Sequence, residues 1–518
     1  MIQEGQLAYF KRLRKSFKPL GPAHKFKKTW EKVAMLWGDP VYVFEVGPTH
    51  AKVSAKGHHL EIKVSDLMET PILCIYQIDV GQGDSTLVHT PDDRWLMIDG
   101  GPAPGDSNSG KGAANFLFWK MFVDQSWKWE FNFNTGPFVL DALVCTHPDS
   151  DHFGGFGPLT EKVDRGDLVI NTVYHNGIGR FKSAGGFTKY ENGSGFCQLG
   201  PVAGTDLPDA YLTVLIDSFD DVRTFLAETP TRDWKLHGEY RDWLYSLQQR
   251  EGQGFGALQR LCSNTGHLPG YGPDESDVSI RVLGPYEEQM NNKPVLRYLD
   301  TAGKSAMSDP GVTRNGQSVI LRCDFGSARI LFTGDLNFRS QALLLSNVPA
   351  AEFRAHVAKA CHHGSEDISV KFLQAMGPWA TMISSGDNEG HVHPRALMLG
   401  LTGATSLLID KGSKQKFLGF EEPRYVAPML YSTELSRSVR LREPQRALDA
   451  NEQTVPNAKL QAKKATGAAD GLMKELDYWL LADELTYGLI NVRTDGERIR
   501  MAVLKENQAS FQVESFDV

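Results

Sequence analysis

Four side chains that commonly bind metal ions fall within six residues, in the run His147-Pro-Asp149-Ser-Asp151-His152. Imidazole and carboxylate groups are ordinary ligands of zinc, and one loop can present alternate side chains to a single point. His147 and Asp149 can then hold one cation, while Asp151 and His152 hold a second. Two cations about 3.5–4 Å apart can contact both the attacking and the leaving oxygen of a group undergoing hydrolysis. The spacing therefore predicts a dinuclear hydrolytic centre rather than a polar surface loop.

Further polar groups follow apolar runs later in the chain. Asp335 ends the run Ile330-Leu-Phe-Thr-Gly-Asp335, where a carboxylate at a strand end can bridge two cations. Two later loops supply histidines: His362, His363, His391 and His393. Only one or two of these histidines are needed as ligands. The sequence therefore predicts that these loops join the centre, and it leaves the role of each histidine open.

Two loops that contain glycine and aspartate precede the histidine-rich run. The first, Asp79-Val-Gly-Gln-Gly-Asp84, lacks the lysine and the spacing of a nucleotide-binding P-loop, so that function is excluded. The second, Asp99-Gly-Gly101, presents a carboxylate directly after an apolar run. Carboxylates in such positions often orient a histidine that binds metal. We predict this role for Asp99.

The elements that must position these residues are short apolar strands, each running into a polar loop. Such strands are predicted at residues 72–78, 95–98, 140–145, 278–283, 318–323, 328–332, 357–361 and 380–383. Strands that all deliver polar residues at one end build a site along one rim of a sheet sandwich. The pattern predicts an α/β fold of this kind.

Three regions are predicted along the chain. Residues 1–70 form a basic arm and a small β unit, 71–445 the hydrolase domain, and 446–518 a linker and a C-terminal β-hairpin region. The basic arm can bind phosphates or remain a solvated tail. An insertion at about 180–275 either selects the substrate or lies far from the chemistry. The hairpin, which turns at Asp495-Gly496, is predicted to pair with the β unit or to dock a partner.

Composition limits the classes of function. The chain has 518 residues, with 41% hydrophobic and 23% charged residues, as expected of a folded protein. A net charge of -8 argues against a protein that coats nucleic acid, although a local patch or bound cations can still attract such a substrate. We expect no membrane segment and no secretory signal, since no apolar run approaches about 20 residues. Six scattered cysteines without a CxxC pair favour a cytoplasmic protein.

The order of these motifs resembles the metallo-β-lactamase domain of the ComEC-type DNA-uptake proteins. The resemblance covers roughly residues 71 to 410. It rests on the runs 79–84, 99–101 and 147–155, Asn315-x-x-Ser318, Thr333-Gly-Asp335, His362-His-Gly-Ser365 and His393-Pro394. The resemblance implies a metallo-β-lactamase αββα sandwich with a metal site at one rim. DNA transport is not implied, because ComEC proteins have a membrane channel and this chain shows none.

The resemblance also implies roles for individual residues. The metal ligands would be His147, Asp149, Asp151, His152 and the bridging Asp335, with His393 as the late ligand and His391 as its rival. His362 or His363 would bind metal or protonate the leaving group, and Asn315 and Ser318 would lie near the pocket. His175 is a candidate for the histidine ligand that other superfamily members place before the bridging aspartate. Asp149 stands where many superfamily members carry histidine, and its oxygen donor should shift the metal preference from zinc towards manganese or iron, with zinc as an alternative.

Three functions follow as hypotheses. The first is a metal-dependent phosphodiesterase or nuclease that uses two divalent cations, with Asp151 positioning the nucleophile and with a nucleic acid as one potential substrate. The second is a hydrolase of a small ester, lactone or thioester. The third is a binding or regulatory module that has retained a metal site. The sequence identifies no protein partner.

Overall fold

The computed structural model describes residues 1–22, 31–104, 112–133, 136–205, 209–299, 309–386, 393–409, 429–433, 488–505 and 510–518. Two large sheets dominate this part of the chain. The first contains, in spatial order, Phe255–Arg260, Leu168–His175, Phe138–Cys145, Trp95–Ile98, Thr86–His89, Leu73–Gln77, Ile490–Thr494, Arg498–Lys505 and Ser510–Asp517. The second contains Ser279–Gly284, Ile320–Phe325, Ala328–Phe332, Val357–Lys359, Ala380–Ile383 and Met429–Ser432.

The two sheets pack face to face because apolar residues alternate along their strands. Ala142 and Val144 of the first sheet share one buried cluster with Leu321 and Ile330 of the second. Side chains of successive residues in a strand point to opposite faces, so the intervening residues pack outward against helices. Leu143, for example, belongs to a separate cluster with the helix Ala113–Glu130. The result is a four-layer αββα sandwich, as the sequence predicts.

Helices cover the outer faces of both sheets. In the described residues the α-helices are Ala113–Glu130, Ser150–Phe153, Gly157–Asp164, Phe219–Phe225, Gly238–Gln248, Pro310–Gly316, Phe338–Asn347, Val370–Met376 and Ala396–Ile409. Short 3-10 helices are Val64–Asp66, Gly154–Phe156, Ser263–Thr265, Ala350–Phe353 and Cys361–Gly364. Among the described residues, no helix is both long enough and apolar enough to span a lipid bilayer.

A small β unit precedes the sandwich. Its six-stranded sheet has the order Gly21–Pro22, His58–Lys63, His50–Ala55, Pro40–Val46, Leu7–Phe10 and Leu67–Met68, and Arg14–Phe17 pairs separately with Val33–Leu36. These strands enclose their own apolar cluster, which includes Phe10, Val43 and Leu60. The predicted basic arm extends into residues outside those described, and Arg12 and Lys15 within it are ion-paired with Asp66.

The segment predicted as an insertion forms its own small sheets. Its strands are Thr188–Glu191, Ser194–Cys197, Gly200–Gly204 and Ala210–Leu212, joined by Lys293–Arg297 and Glu287–Met290, with Phe181–Ser183 paired to Trp234–Leu236. The chain enters this segment from the end of Leu168–His175, beside the strand Phe138–Cys145. The segment therefore begins at the rim where the histidine-rich loop emerges.

The C-terminal hairpin turns between Ile490–Thr494 and Arg498–Lys505, as predicted. The predicted docking of a partner stays a prediction. Although Arg493 contacts Trp37 and Asp39 of the N-terminal β unit, no strand of the hairpin pairs with that unit among the described residues. Instead, Ile490–Thr494 pairs antiparallel with Leu73–Gln77 and extends the large sheet of the sandwich. The predicted linker at 446–470 lies outside the described residues.

Candidate metal centre

Four buried side chains bring ligand atoms together at one rim of the sandwich. Asp84, His152, Asp335 and His363 each offer one atom, and these atoms all lie within 4.8 Å of one another. Asp335 and His363 follow strands of the second sheet, whereas Asp84 lies in a loop between strands of the first sheet and His152 in the short helix Ser150–Phe153 that follows one of them. The two sheets therefore meet at this cluster, which explains why residues distant in sequence converge there.

Hydrogen bonds fix the ring of His147 with one nitrogen facing the centre. Its Nδ1 lies 3.1 Å from Thr146 Oγ1 and 3.3 Å from Ser318 Oγ. Both hydroxyls donate their own hydrogens elsewhere, Thr146 to Asp99 and Ser318 to the carbonyl oxygen of Asn315. The hydroxyls must therefore accept from Nδ1, which carries the proton. The Nε2 of His147 then presents a lone pair.

Hydrogen bonds also fix the ring orientation of the two histidines of the cluster, His152 and His363. The Nδ1 of His152 lies 2.9 Å from Asp99 Oδ2, so Asp99 occupies the orienting position that the sequence predicts. The Nδ1 of His363 lies 3.1 Å from the carbonyl oxygen of Ser384. Because both partners are acceptors, each Nδ1 donates and each Nε2 faces inward.

The Nε2 atoms of His147, His152 and His363 are buried and make no hydrogen bond of regular geometry among the described residues, although those of His152 and His363 lie 3.3 Å and 3.2 Å from Asp335 Oδ2. A buried polar atom without a partner costs about 1–3 kcal/mol. Three such lone pairs beside the carboxylates of Asp84 and Asp335 match the donor set that binds divalent cations. The residues of this site therefore fit a metal ion.

The charges of the site also favour a cation. Burial alone would lower the pKa of His363, but the carboxylates of Asp335 and Asp84 raise it well above the ordinary value. Burial alone would raise the pKa of Asp335, but His363 and His152 hold it well below its usual range. Without a metal, protons on the imidazoles neutralise the carboxylates. A divalent cation can replace these protons.

A buried lysine next to the cluster was not predicted. The Nζ of Lys359 lies 2.5 Å from Asp84 Oδ2 and 3.8 Å from Asp335 Oδ1. Lys359 is the last residue of the buried strand Val357–Lys359, and burial there is unusual for lysine. A lysine within an otherwise apolar strand is the signal in the sequence that could have identified it. Asp84 was likewise assigned only to the rim and not to the ligands.

Strained backbone positions hold several of these side chains. Asp99, His362 and His363 have φ angles of 57°, 46° and 53°, in the left-handed region that non-glycine residues rarely adopt. Such conformations persist only where the surrounding structure imposes them, and they are common at functional sites. The two consecutive histidines consequently point in different directions from one tight turn.

The other predicted residues lie around the cluster. Asp151 is 33% exposed, and its Oδ2 lies 3.3 Å from the Nε2 of His363. His362 is 29% exposed, and its Nε2 lies 3.7 Å from Asp335 Oδ2. The ring centre of His393 lies 6.0 Å from that of His363, and no atom of His393 belongs to the cluster. Its predicted rival, His391, lies outside the described residues.

Two predicted residues have other partners. Both carboxylate oxygens of Asp149 contact arginines, Arg180 and Arg314. His175 is buried with its Nδ1 3.2 Å from the hydroxyl of Tyr240, and it does not belong to the cluster. Burial lowers the pKa of His175 to about 3, so this imidazole is neutral. The predicted roles of Asp149, Asp151, His175 and His393 as ligands stay predictions.

Comparison with known families agrees with this geometry. Residues 78–233 match the family model of the metallo-beta-lactamase superfamily, and this range includes Asp84 and His152. The chain contains a metallo-β-lactamase domain. A domain of this superfamily implies divalent cations, and the buried cluster offers a donor set that fits them. The predicted fold is thereby confirmed.

A relative supports the predicted resemblance. The chain is 29% identical over 102 residues to ComE operon protein 3 of Bacillus subtilis (strain 168). The match covers 20% of this chain and only 13% of that protein. The metallo-β-lactamase domain is therefore similar to that of the ComEC-type proteins, as the motifs predicted.

Solved structures of the same fold are also similar. The metallo-beta-lactamase fold protein YhfI from Bacillus subtilis is 12% identical, with 64% of this chain and 93% of that chain covered and a TM-score of 0.31. Tm1679, a metal-dependent hydrolase, is 13% identical, with 65% and 93% covered and a TM-score of 0.27. A long form RNase Z from yeast is 10% identical, with 62% and 39% covered and a TM-score of 0.28. Scores this low carry no information on function.

Proposed function

We propose that the chain is a phosphodiesterase or nuclease that depends on divalent cations. The observation that supports this proposal is the convergence of two carboxylates with three inward-facing imidazole nitrogens at one buried rim. Zinc and manganese both accept such a mixed oxygen and nitrogen donor set. A cation in such a site polarises a phosphoryl group and lowers the pKa of a nearby water.

We propose that Asp84, His152, Asp335 and His363 hold the first cation. His147 is available for a second, because its unpartnered Nε2 lies 4.0 Å from Asp335 Oδ2. The second cation that the sequence predicts stays a prediction, since Asp149 is engaged by arginines. Manganese and zinc are both retained as candidates.

We propose His362, rather than His363, as the group that transfers the proton. His363 is buried and directs its Nε2 into the cluster, whereas His362 is partly exposed at its edge. Burial lowers the pKa of His362, so its imidazole is neutral near neutral pH and can accept a proton from the attacking water. Asp335, 3.7 Å away, then stabilises the imidazolium until it returns the proton to the leaving oxygen. Asp151, which is partly exposed beside His363, would orient the water.

The test is hydrolysis of bis-p-nitrophenyl phosphate by protein loaded with manganese or zinc, with p-nitrophenyl acetate as the rival substrate. We expect turnover of the diester, and we expect His362→Asn to lower kcat about 10²–10⁴-fold while the bound metal stays constant. Asp335→Asn should abolish both metal binding and turnover. Turnover of the acetate alone would refute the proposal and favour the small-ester hypothesis. If no substrate is hydrolysed, the binding-module hypothesis is favoured.

A further inference from the structure

The carboxylate of Asp149 is enclosed by two guanidinium groups. Arg180 Nη2 donates to Oδ1 at 3.0 Å, and Arg314 Nη2 donates to Oδ2 at 3.1 Å. The Nε of Arg314 also contacts Oδ1. Hydrogen bonds from two guanidinium groups favour the ionised carboxylate of Asp149. Its negative charge is thus already used to fix two cationic side chains.

The two arginines come from distant parts of the chain and reach the same point. Arg180 follows the strand Leu168–His175 at the start of the inserted segment, and Arg314 lies in the helix Pro310–Gly316. The side chains are 34% and 16% exposed, respectively, so solvent reaches both. Glu239 is a second carboxylate whose charge acts on Arg180. Each guanidinium has five N–H donors, more than Asp149 accepts, and the remaining donors can bind an anion.

The arginines lie next to the cation-binding cluster. The Nε2 of His147 lies 3.7 Å from Asp149 Oδ2 and 4.0 Å from Asp335 Oδ2. Asp149, which holds the arginines, and Asp335, which belongs to the cluster, therefore both lie close to the imidazole of His147. An anionic group that reaches the cluster can contact the guanidiniums at the same time.

We propose that Arg180 and Arg314 bind the non-bridging phosphoryl oxygens of an anionic substrate, and that Asp149 positions them rather than binding metal. Guanidinium groups offer planar pairs of donors that match phosphate oxygens. The substrate class is then a phosphodiester anion and not a neutral ester. This inference rests on the proposed function. It also gives the inserted segment a part in substrate recognition, because Arg180 lies at its start.

The first test replaces each arginine by glutamine and by lysine. Arg250→Gln is the matched control, because Arg250 forms an ion pair with Asp164 on the surface. For Arg180→Gln and Arg314→Gln we expect the ratio of kcat/KM for bis-p-nitrophenyl phosphate to that for p-nitrophenyl acetate to fall about 10–100-fold, chiefly through KM. The lysine variants should recover part of this loss, and the control should resemble the unmodified protein. An unchanged ratio in both glutamine variants overturns the inference.

The second test is Asp149→Asn, which separates a metal ligand from a residue that positions arginines. We expect the bound manganese or zinc to remain at the level of the unmodified protein, because the cluster does not include Asp149. Inorganic phosphate should inhibit this variant as well as the unmodified protein or better, since the competing carboxylate is gone. Loss of bound metal overturns the inference and makes Asp149 a ligand.

The two proposals fail in different ways. If the unmodified protein cleaves only the acetate, the proposed function is wrong, and the arginines are then tested by inhibition of that turnover with inorganic phosphate. A higher inhibition constant in Arg180→Gln and Arg314→Gln supports an anion site in that case, and an unchanged constant overturns it. If the unmodified protein cleaves the diester and both variants keep its KM, the function stands and the inference is overturned.

Discussion

Replacing Asp99 by asparagine exchanges one oxygen for an NH2 group inside the network that orients His152. Asp99 accepts three hydrogen bonds: from the backbone N of Thr146 at 2.7 Å, from Thr146 Oγ1 at 2.8 Å and from His152 Nδ1 at 2.9 Å. The backbone N of Thr146 bonds Oδ1, whereas Thr146 Oγ1 and His152 Nδ1 share Oδ2. The single oxygen of asparagine is expected to keep the backbone N–H of Thr146, because that donor cannot become an acceptor, and the NH2 group then takes the position of Oδ2. There it faces the Nδ1 proton of His152, and two donors cannot bond.

The expected response is a change in the protonation of the ring of His152. The proton moves from Nδ1 to Nε2, the atom that lies 3.3 Å from Asp335 Oδ2 and faces the cluster. A protonated Nε2 cannot bind a cation. We expect the affinity for zinc or manganese to fall about 10–100-fold, which corresponds to roughly 1.4–2.8 kcal/mol.

The assay is competition for the metal with a chromophoric chelator, combined with urea denaturation of the metal-free protein. Asp141→Asn is the control, because the Oδ2 of Asp141 accepts a hydrogen bond from the backbone N of Trp95 on the same sheet, away from the cluster. Equal metal affinity in Asp99→Asn, Asp141→Asn and the unmodified protein would refute the tautomer argument. A loss shared by both variants would show a general effect of unfolding instead.

Three further predictions concern the same rim. Lys359→Met removes the buried ammonium beside Asp84 and leaves that carboxylate with only the imidazoles of His363 and His152 nearby, so the free energy of unfolding of the metal-free protein should fall by up to about 3–5 kcal/mol in urea; an unchanged value would show that the pair contributes little. Carboxylates raise the pKa of both His152 and His363, so two protons must leave before metal binds, and metal affinity should rise between about tenfold and a hundredfold per pH unit between roughly pH 6 and pH 8. Chelator competition that is independent of pH would contradict this. A Cβ on Gly155 would lie 1.8 Å from a backbone oxygen, whereas one on Gly157 meets nothing within 4 Å. Gly155→Ala should therefore lower stability by about 3 kcal/mol or more in thermal denaturation, Gly157→Ala should have a far smaller effect, and equal melting temperatures would refute the steric argument.

The sequence by itself determined the fold and the rim. Apolar strands that end in polar loops are a local property of the chain, so a sheet sandwich with a site at its rim could be predicted, and the family resemblance of the motifs implied the αββα layers. The loops holding His152, Asp335 and His363 do meet at one place. The hairpin at Asp495 was also predictable, because turn residues and flanking strands are neighbours in sequence.

Only the tertiary structure decided which side chains pair across the site. Asp149 is 31 residues from Arg180 and 165 from Arg314, and no local pattern links them. The residue types at the strand ends show which side chains could bind a metal ion. The order and spacing of the strands decide which charged side chains come close enough to form ion pairs. For the same reason the ion pair between Lys359 and Asp84 was not predicted. Long-range contacts of this kind give Asp149 two arginine partners, while its role as a metal ligand stays a prediction.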